Sequence, residues 1–409
     1  MRKKAGLLIP AAAVFMAAAF PMPSPAEEFV PGPGQVYDDA TWARIQDNVL
    51  EYDEISMLID TYNSTMKNMR ETYQDSKDSY KSVDRIKESM MESSGTLLDN
   101  SQMLQDQAEQ VKNMLGVSGS MASSYAGMVY SSELLNAQAE QMLLSVDSLT
   151  ETTPDMMKLR IVETTRAGLI SGAQSAVIGY EQLLLQKENL EESIALLEEV
   201  YASVQTQQNV GMATAEDVLT ARQNLESAQA GLLTIDASTD KIRQSLCTML
   251  GWPYDGNPEI RNVPSADLTR IEGMDPRNDL TAATDNNFTL RYNLLDYENK
   301  TDGSVEKQNL ERTIENQKAQ IASSLTNLYN DVIQKKNEYE TAVTAYDLEK
   351  KKMDTAETKY GLGMIGRLEY LQQKNALLSK EISMKNADLA LFQAMETYDW
   401  AVQGNLSLS

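Results

Sequence analysis

An internal repeat constrains the fold of this chain more than any other sequence feature. Two glycine-containing breaks interrupt helical sequence, one in Gly211-Met-Ala-Thr-Ala-Glu-Asp-Val-Leu219 and one in Tyr360-Gly-Leu-Gly-Met-Ile-Gly-Arg-Leu-Glu-Tyr-Leu371. The two breaks align at an offset of 152 positions, which pairs Gly211 with Gly363, Met212 with Met364, Asp217 with Glu369, Leu219 with Leu371 and Arg222 with Lys374. A repeated helix–turn–helix unit predicts an architecture of equivalent helical hairpins.

Apolar residues recur every seven positions on both sides of these breaks. The rows comprise Met69, Tyr73, Tyr80, Val83, Met90, Leu97, Leu104 and Val111, then Ile314, Ile321 and Leu328, and Leu325, Val332, Tyr339, Tyr346, Met353 and Tyr360. Sustained seven-residue spacing is typical of coiled-coil packing. The sequence therefore predicts an all-α fold of long antiparallel coiled-coil hairpins in two repeats, with little or no β structure.

The sequence divides at its prolines, glycines and changes of composition. Basic Arg2, Lys3 and Lys4 precede an apolar stretch and the small residues Ser24-Pro-Ala26, a pattern typical of a secretory signal peptide. An uncleaved membrane anchor is the alternative interpretation. The predicted organisation is a signal peptide (1–26), a linker (27–40), a first helical repeat (41–251), a connector (252–278), a second helical repeat (279–403) and a tail (404–409).

Within the repeats, the periodicity predicts helices that run without interruption over long distances. The predicted spans are 42–112, 155–209, 214–250, 279–299, the segment that follows 301–304 as far as Tyr360, and 366–403. A small, polar and uncharged stretch at 115–128 is predicted to be a loop. Residues 252–277 are predicted to form an irregular connector.

Composition excludes several classes of function. The 60 acidic and 36 basic residues give a net charge of −24, which disfavours nucleic acid as a partner. The sequence contains no His and a single Cys, Cys247, so it offers neither a His/Cys metal cluster nor a His-based catalytic centre. We expect no enzyme activity and no cofactor, and we expect Cys247 to fill the core.

The two breaks have the local chemistry of tight helical turns. Gly211 and Gly363 are expected to adopt backbone angles that other residues avoid. Thr214 and Asp217 have the spacing of a capping box. Asp217 and Glu369 are expected in the first turn of a helix, where the helix dipole favours an acid. Two interpretations remain open: the turns are simply well-capped hairpin ends, or they are exposed ends that contact a partner.

The turn sequences resemble the corresponding segments of TolC-type outer-membrane efflux proteins. In that family a Gly is followed six residues later by an acid and then by a Val/Leu pair, as in Gly211 to Leu219. The resemblance is strongest over 200–252 and 350–400. It implies an exported homotrimer that forms a hollow α-helical barrel, fed by an inner-membrane transporter through a periplasmic adaptor.

On this resemblance the turns would form the entrance of the duct and contact the adaptor. The candidate site residues are Gly211, Thr214, Asp217, Val218, Leu219, Gly363, Met364, Arg367, Glu369 and Leu371. Members of the family also carry strand pairs in each repeat, whereas the second repeat here has only Thr301–Ser304 at that place. We therefore expect a divergent member with a reduced or absent β-barrel that contacts the membrane or the cell wall.

A different class of function also fits the heptads and the signal. The chain would then be an exported coiled-coil protein with a structural or adhesive role in the cell envelope and no part in transport.

Overall fold

The computed structural model describes residues 37–78, 83–115, 128–129, 131–140, 143 and 154–408. The predicted signal peptide, most of the predicted linker and most of the loop predicted at 115–128 lie outside these residues. In the described part the chain is almost entirely helical, which confirms the predicted fold class. Within it, no helix has the length and apolar character required to cross a membrane.

The helices are α1 (Asp39–Ile45), α2 (Ile55–Tyr62), α3 (Ser64–Asp78), α4 (Val83–Leu115), α5 (131–140), α6 (Pro154–Met157), α7 (Thr164–Asn209), α8 (Ala215–Leu250), α9 (Leu268–Gly273), α10 (Pro276–Asn286), α11 (Phe288–Asn299), α12 (Val305–Gly361) and α13 (Arg367–Val402). A 3-10 turn, Tyr52–Glu54, precedes α2. The strands of the described residues are β1 (Val49–Leu50) and β2 (Glu259–Ile260), which pair in parallel with Val49 opposite Glu259.

Four long helices dominate the structure and lie side by side in the order α8, α7, α13, α12. Each repeat contributes one hairpin: α7 with α8, and α12 with α13. At 57 residues, α12 is about 85 Å long at 1.5 Å per residue. The hairpins join through α7 and α13, which run antiparallel, since Trp400 Nε1 donates to Gln174 Oε1 (2.8 Å) at one end and Lys374 pairs with Glu192 (2.9 Å) towards the other.

The predicted seven-residue rows are buried over most of their length. Met69, Met90, Leu97 and Leu104 are each at most 2% exposed. In α12 the row begins equally buried but opens towards Tyr360, which is 41% exposed. That end of α12 packs mainly on α13, so one flank of the row meets solvent. Cys247 is fully buried, as predicted.

Continuous helix over 42–112 was expected, and this prediction is wrong between α1 and α2, where β1 and the 3-10 turn lie, and again at Asn63. The Asn63 Oδ1 accepts a hydrogen bond from the backbone N–H of Met66 (2.9 Å), and so begins a new helix. Its Nδ2 donates to the carbonyl oxygen of Met249 (2.7 Å), near the end of α8. The break between α2 and α3 therefore depends on a partner 186 residues away.

The helix predicted over 279–299 breaks in the same way at Asn287, between α10 and α11. Its Oδ1 accepts from the N–H of Leu290 (2.9 Å), and its Nδ2 donates to the carbonyl oxygens of Gly404 (3.3 Å) and Leu406 (3.0 Å), beyond the end of α13. Asn63 and Asn287 are 4% and 0% exposed. The internal repeat thus extends to a second pair of equivalent joints at the base of the hairpins.

Two further predicted segments differ from the structure. The helix predicted over 155–209 contains a π-helical turn, Lys158–Glu163, between α6 and α7. There the Thr164 hydroxyl donates to the carbonyl oxygen of Leu159, five residues back (3.1 Å), which accommodates the wider turn. The connector predicted to be irregular over 252–277 includes α9 and the start of α10, whose caps are the side chains of Asp267 and Asp275.

Each basal joint closes on a glycine. Gly251, after α8, has φ +78°, and a Cβ at that position would lie 2.6 Å from the Tyr62 carbonyl oxygen. Gly404, after α13, has φ +104°, and a Cβ there would overlap the Asn286 carbonyl oxygen. The missing side chain lets the end of each long helix lie directly against the residue that precedes the capping asparagine.

We predict that Gly251→Ala and Gly404→Ala destabilise the protein far more than Gly303→Ala. All three glycines have positive φ, so each substitution costs about 1–2 kcal/mol of backbone strain. At Gly251 and Gly404 the added Cβ would also clash with neighbouring backbone atoms, which adds about 1–3 kcal/mol to the loss of stability. Urea unfolding followed by circular dichroism measures the free energy of unfolding of each variant. Equal losses of stability in all three variants would contradict the close backbone contacts at Gly251 and Gly404.

Candidate functional site

The candidate site consists of the two hairpin turns, which we name tip 1 (residues 207–219) and tip 2 (residues 359–371). In tip 1, helix α7 ends in a Schellman motif. The N–H of Met212 donates to the Gln207 carbonyl (2.8 Å), and the N–H of Gly211 donates to the Gln208 carbonyl (2.9 Å). Gly211 has φ +78°, the left-handed conformation that this motif requires.

Tip 2 repeats this geometry. The N–H of Met364 donates to the Lys359 carbonyl (2.8 Å), and the N–H of Gly363 donates to the Tyr360 carbonyl (2.9 Å). Gly363 has φ +70°. Every one of these partners lies 152 positions after its counterpart in tip 1, so the sequence repeat is also a repeat of backbone hydrogen bonds. The prediction that both glycines adopt positive φ is confirmed.

Both tips lie at the same end of the structure. Arg367, the first residue of α13, has its Nε 3.5 Å from a carboxylate oxygen of Glu199, in the last three turns of α7. About two turns further from the tips, Asn375 Nδ2 donates to the Ser193 Oγ (3.1 Å). Because α7 leads into tip 1 and α13 leads out of tip 2, these contacts hold the tips next to each other.

The second halves of the tips differ. Helix α8 begins with a complete capping box: the Asp217 N–H donates to the Thr214 Oγ1 (3.2 Å), and the Thr214 N–H donates to the Asp217 carboxylate (2.8 Å). This confirms the predicted box. The N-cap position of α13 is Gly366, which has no side chain to cap the helix. Tip 2 instead has Tyr360 stacked on Tyr370, with ring centroids 4.6 Å apart.

The tips also differ in charge. Tip 1 carries Glu216 and Asp217 and no basic residue, whereas tip 2 carries Lys359 and Arg367 with a single acid, Glu369. The hydrogen bonds from the backbone N–H and the hydroxyl of Thr214 lower the pKa of Asp217 below its usual value. The box therefore contributes stability near neutral pH, and the contribution is lost as the pH falls through that lowered pKa.

Exposed apolar side chains are the feature that the tips share most clearly. Val210 is 67% exposed and Met212 79% exposed in tip 1, and their counterparts Leu362 and Met364 are 70% and 69% exposed in tip 2. In many Schellman motifs the residue after the glycine packs on the helix residue five positions earlier. Here that residue is Gln207 or Lys359, so both methionines remain in solvent.

The structure brings the predicted site residues together as two neighbouring groups. Gly211, Thr214, Asp217, Val218 and Leu219 form part of tip 1, and Gly363, Met364, Arg367, Glu369 and Leu371 form part of tip 2. The prediction omitted Met212, the counterpart of Met364, and also Val210 and Leu362, which directly precede the glycines. An apolar residue beside each glycine was visible in the sequence, but only the structure shows that it points into solvent. Within the described ranges, no group of three or more Cys, Asp or Glu residues is arranged to hold a metal ion.

We predict that Gly211→Ala and Gly363→Ala loosen their own tips by similar amounts. A Cβ at either position meets no atom within 4 Å, so the penalty is conformational. A cost of about 1–2 kcal/mol should speed hydrogen exchange of the Schellman amides about 5–30-fold. Gly366→Ser is the matched control, because φ −80° suits any residue and a serine would add a cap. Exchange that accelerates in the control, or in only one glycine variant, would contradict the equivalence of the tips.

Models of known protein families do not match this sequence, and neither do the sequences of curated proteins. Similar solved structures include the outer-membrane channel OprN, with 14% identity, coverage of 91% of this chain and 94% of that chain, and a TM-score of 0.43. The outer membrane protein VceC from Vibrio cholerae has 12% identity, coverage of 73% and 96%, and a TM-score of 0.41. CusC, a transmembrane channel, has 14% identity, coverage of 77% and 96%, and a TM-score of 0.43. These are distant likenesses.

Proposed function

We propose that this chain is the exported duct component of a tripartite efflux or type I secretion-like system. In this proposal three copies form a hollow helical barrel in the cell envelope, at the outer membrane or on its periplasmic or cell-wall side. A periplasmic adaptor contacts the tips, and an inner-membrane transporter supplies the substrate. The observation that carries the proposal is the pair of equivalent tips, each of which presents exposed apolar side chains at the same end.

The exposed tip residues support a docking role. Burial of an apolar side chain contributes about 1.5–3 kcal/mol, so a fold seldom leaves such side chains largely in water at two equivalent ends. Methionine adapts its shape to the surface it meets, which suits it to binding surfaces. Met212 and Met364 occupy the same position in the two Schellman motifs, and each has an apolar neighbour two residues earlier.

The flanks of the four-helix row support self-association. Helices α8 and α12 lie at the two edges of the row and carry large apolar side chains in solvent. Leu233 on α8 is 71% exposed, and Leu348 on α12 is 57% exposed. An edge-to-edge contact between copies would bury both residues and would place the tips of all copies at one end. The number three comes from the resemblance to TolC-type proteins.

We predict that Met212→Ser together with Met364→Ser abolishes export and leaves thermal unfolding unchanged. Both side chains are at least 69% exposed, so their removal takes little from the folded chain. The measurement is substrate export from cells that carry only the variant, together with cross-linking to the adaptor.

Val305→Ser is the matched control, since Val305 is 68% exposed but begins α12 at the end away from the tips. Normal export by the double variant would remove the docking role of the tips. A purified chain that remains monomeric at high concentration in light scattering would instead count against a duct and in favour of the structural or adhesive alternative.

A further inference from the structure

The hairpin of α4 and α5 lies against α7, α8 and α13 through neutral polar contacts. Three of them join it to the long helices: Gln138 Nε2 to Ser171 Oγ (2.8 Å), Ser245 Oγ to Asn100 Oδ1 (2.9 Å) and Gln393 Nε2 to Ser131 Oγ (3.4 Å). Within the hairpin, hydroxyls of α4 donate to carbonyls of α5, from Ser101 to Ser132 (2.8 Å) and from Ser94 to Ala139 (3.0 Å). The hairpin thus has hydrogen bonds of its own, and it packs on the long helices through both apolar and polar contacts.

Four buried amide side chains lie near these contacts, three on the long helices and one on α4. Gln182 and Gln186 belong to α7, Asn386 to α13 and Gln107 to α4, and each is at most 2% exposed. Together they have six polar atoms without a hydrogen-bond partner: both amide atoms of Gln107 and of Gln186, Gln182 Oε1 and Asn386 Oδ1.

The contacts along the helices place these four amides at one level. On α13, Asn386 falls between Asn375, which bonds Ser193, and Trp400, which bonds Gln174, so it lies opposite the segment 182–186 of α7. On α4, Gln107 is seven residues beyond Asn100, which bonds Ser245 of α8. On α8, Ser245 lies nine residues beyond Asp236, which pairs with Lys187 of α7. Asn100 is therefore level with a residue of α7 about nine positions before Lys187. Gln107, seven residues further along α4, is then level with the segment 182–186 of α7.

A cluster of unpaired buried amides opposes the packing that buries it. Each such atom gives up hydrogen bonds to bulk water and has no partner in the protein in return, which weakens the packing of the hairpin. The apolar side chains of α4, among them Met90, Leu97 and Leu104, favour the packed state. Apolar contacts therefore hold the hairpin in place, while the unpaired amides weaken its packing.

The second repeat shows the same helix face without a cover. The positions 152 residues after Ser171, Ser175, Gln182 and Gln186 are Ser323, Asn327, Gln334 and Glu338 of α12, and all four are polar and exposed. The Gln334 Nε2 donates to Glu338 Oε1 (2.8 Å). No hairpin covers this face, because α11 ends at Asn299 and α12 begins at Val305. Gln182 is thus the covered counterpart of a glutamine that stands in water.

We propose that the α4–α5 hairpin is a displaceable cover, and that its departure exposes a polar face on α7 and α13 to water. In the displaced state the amides of Gln107, Gln182, Gln186 and Asn386 hydrogen-bond with water. Gln334, the counterpart of Gln182, is already exposed to water in the second repeat. The displacement itself is independent of any role in transport. Its consequence for a duct, a change in the wall of the barrel, rests on the function proposed above.

Hydrogen exchange tests the proposal directly. In the native protein, amides of α4 over 90–110 should exchange at least about 100-fold faster than those of α7 over 165–186. Gln107→Leu with Gln186→Leu should slow the exchange of α4 about tenfold or more, because apolar side chains of similar size replace unpaired amides. Asn100→Leu is the matched control: its amide is already bonded, so exchange should be unchanged or faster.

A disulfide provides a second measurement that does not depend on how the leucine variant folds. Asn100→Cys with Ser245→Cys, combined with Cys247→Ser, joins the hairpin to α8 at a place where two short side chains already meet (2.9 Å). Oxidation should slow the exchange of α4, and reduction should restore it. Native exchange of α4 as slow as that of α7 would overturn the proposal. If export is lost on oxidation and restored on reduction, the cover also acts in transport, whereas export that is absent in every state counts against the duct alone.

Discussion

The structure depends on how its long helices end. A helix of 36 to 57 residues can pack along its whole length only if both of its ends are fixed in register with its neighbour. Here the ends are fixed by four glycines with positive φ, two at the tips and two at the base. At the tips the glycines close Schellman motifs, and at the base they let helix ends touch the residue before a capping asparagine. Both kinds of joint occur once in each repeat.

Between these joints, the side chains divide the structure into regions that differ in packing and polarity. The base has fully buried apolar residues from both repeats and the long-range bonds of Asn63 and Asn287. Beside the α4–α5 hairpin the apolar interior also contains buried amides that lack partners in the protein. At the tips, apolar side chains are exposed and the helices contact few neighbours. This arrangement agrees with the proposed docking at the tips and with the proposed displacement of the α4–α5 hairpin.

The two repeats share a backbone and differ in the side chains placed on it. Tip 1 has a capping box and two acids, whereas tip 2 has an uncapped glycine, stacked tyrosines and two bases. The first repeat has a hairpin over its long helix, and the second leaves the equivalent face in water. Such differences give one duplicated backbone two distinct exposed surfaces.

The sequence by itself determined the features that depend on neighbours within a few residues. The repeat, the seven-residue rows, the positive φ of Gly211 and Gly363 and the capping box of Thr214 all arise from contacts within a few positions, so pattern and spacing were sufficient. Only the tertiary structure decided where helices break at Asn63 and Asn287, because those side chains bond carbonyls more than a hundred residues away. The same holds for the cover on α7: Gln182 and Gln334 occupy equivalent positions in sequence, and only the packing of a distant hairpin makes one buried and the other exposed.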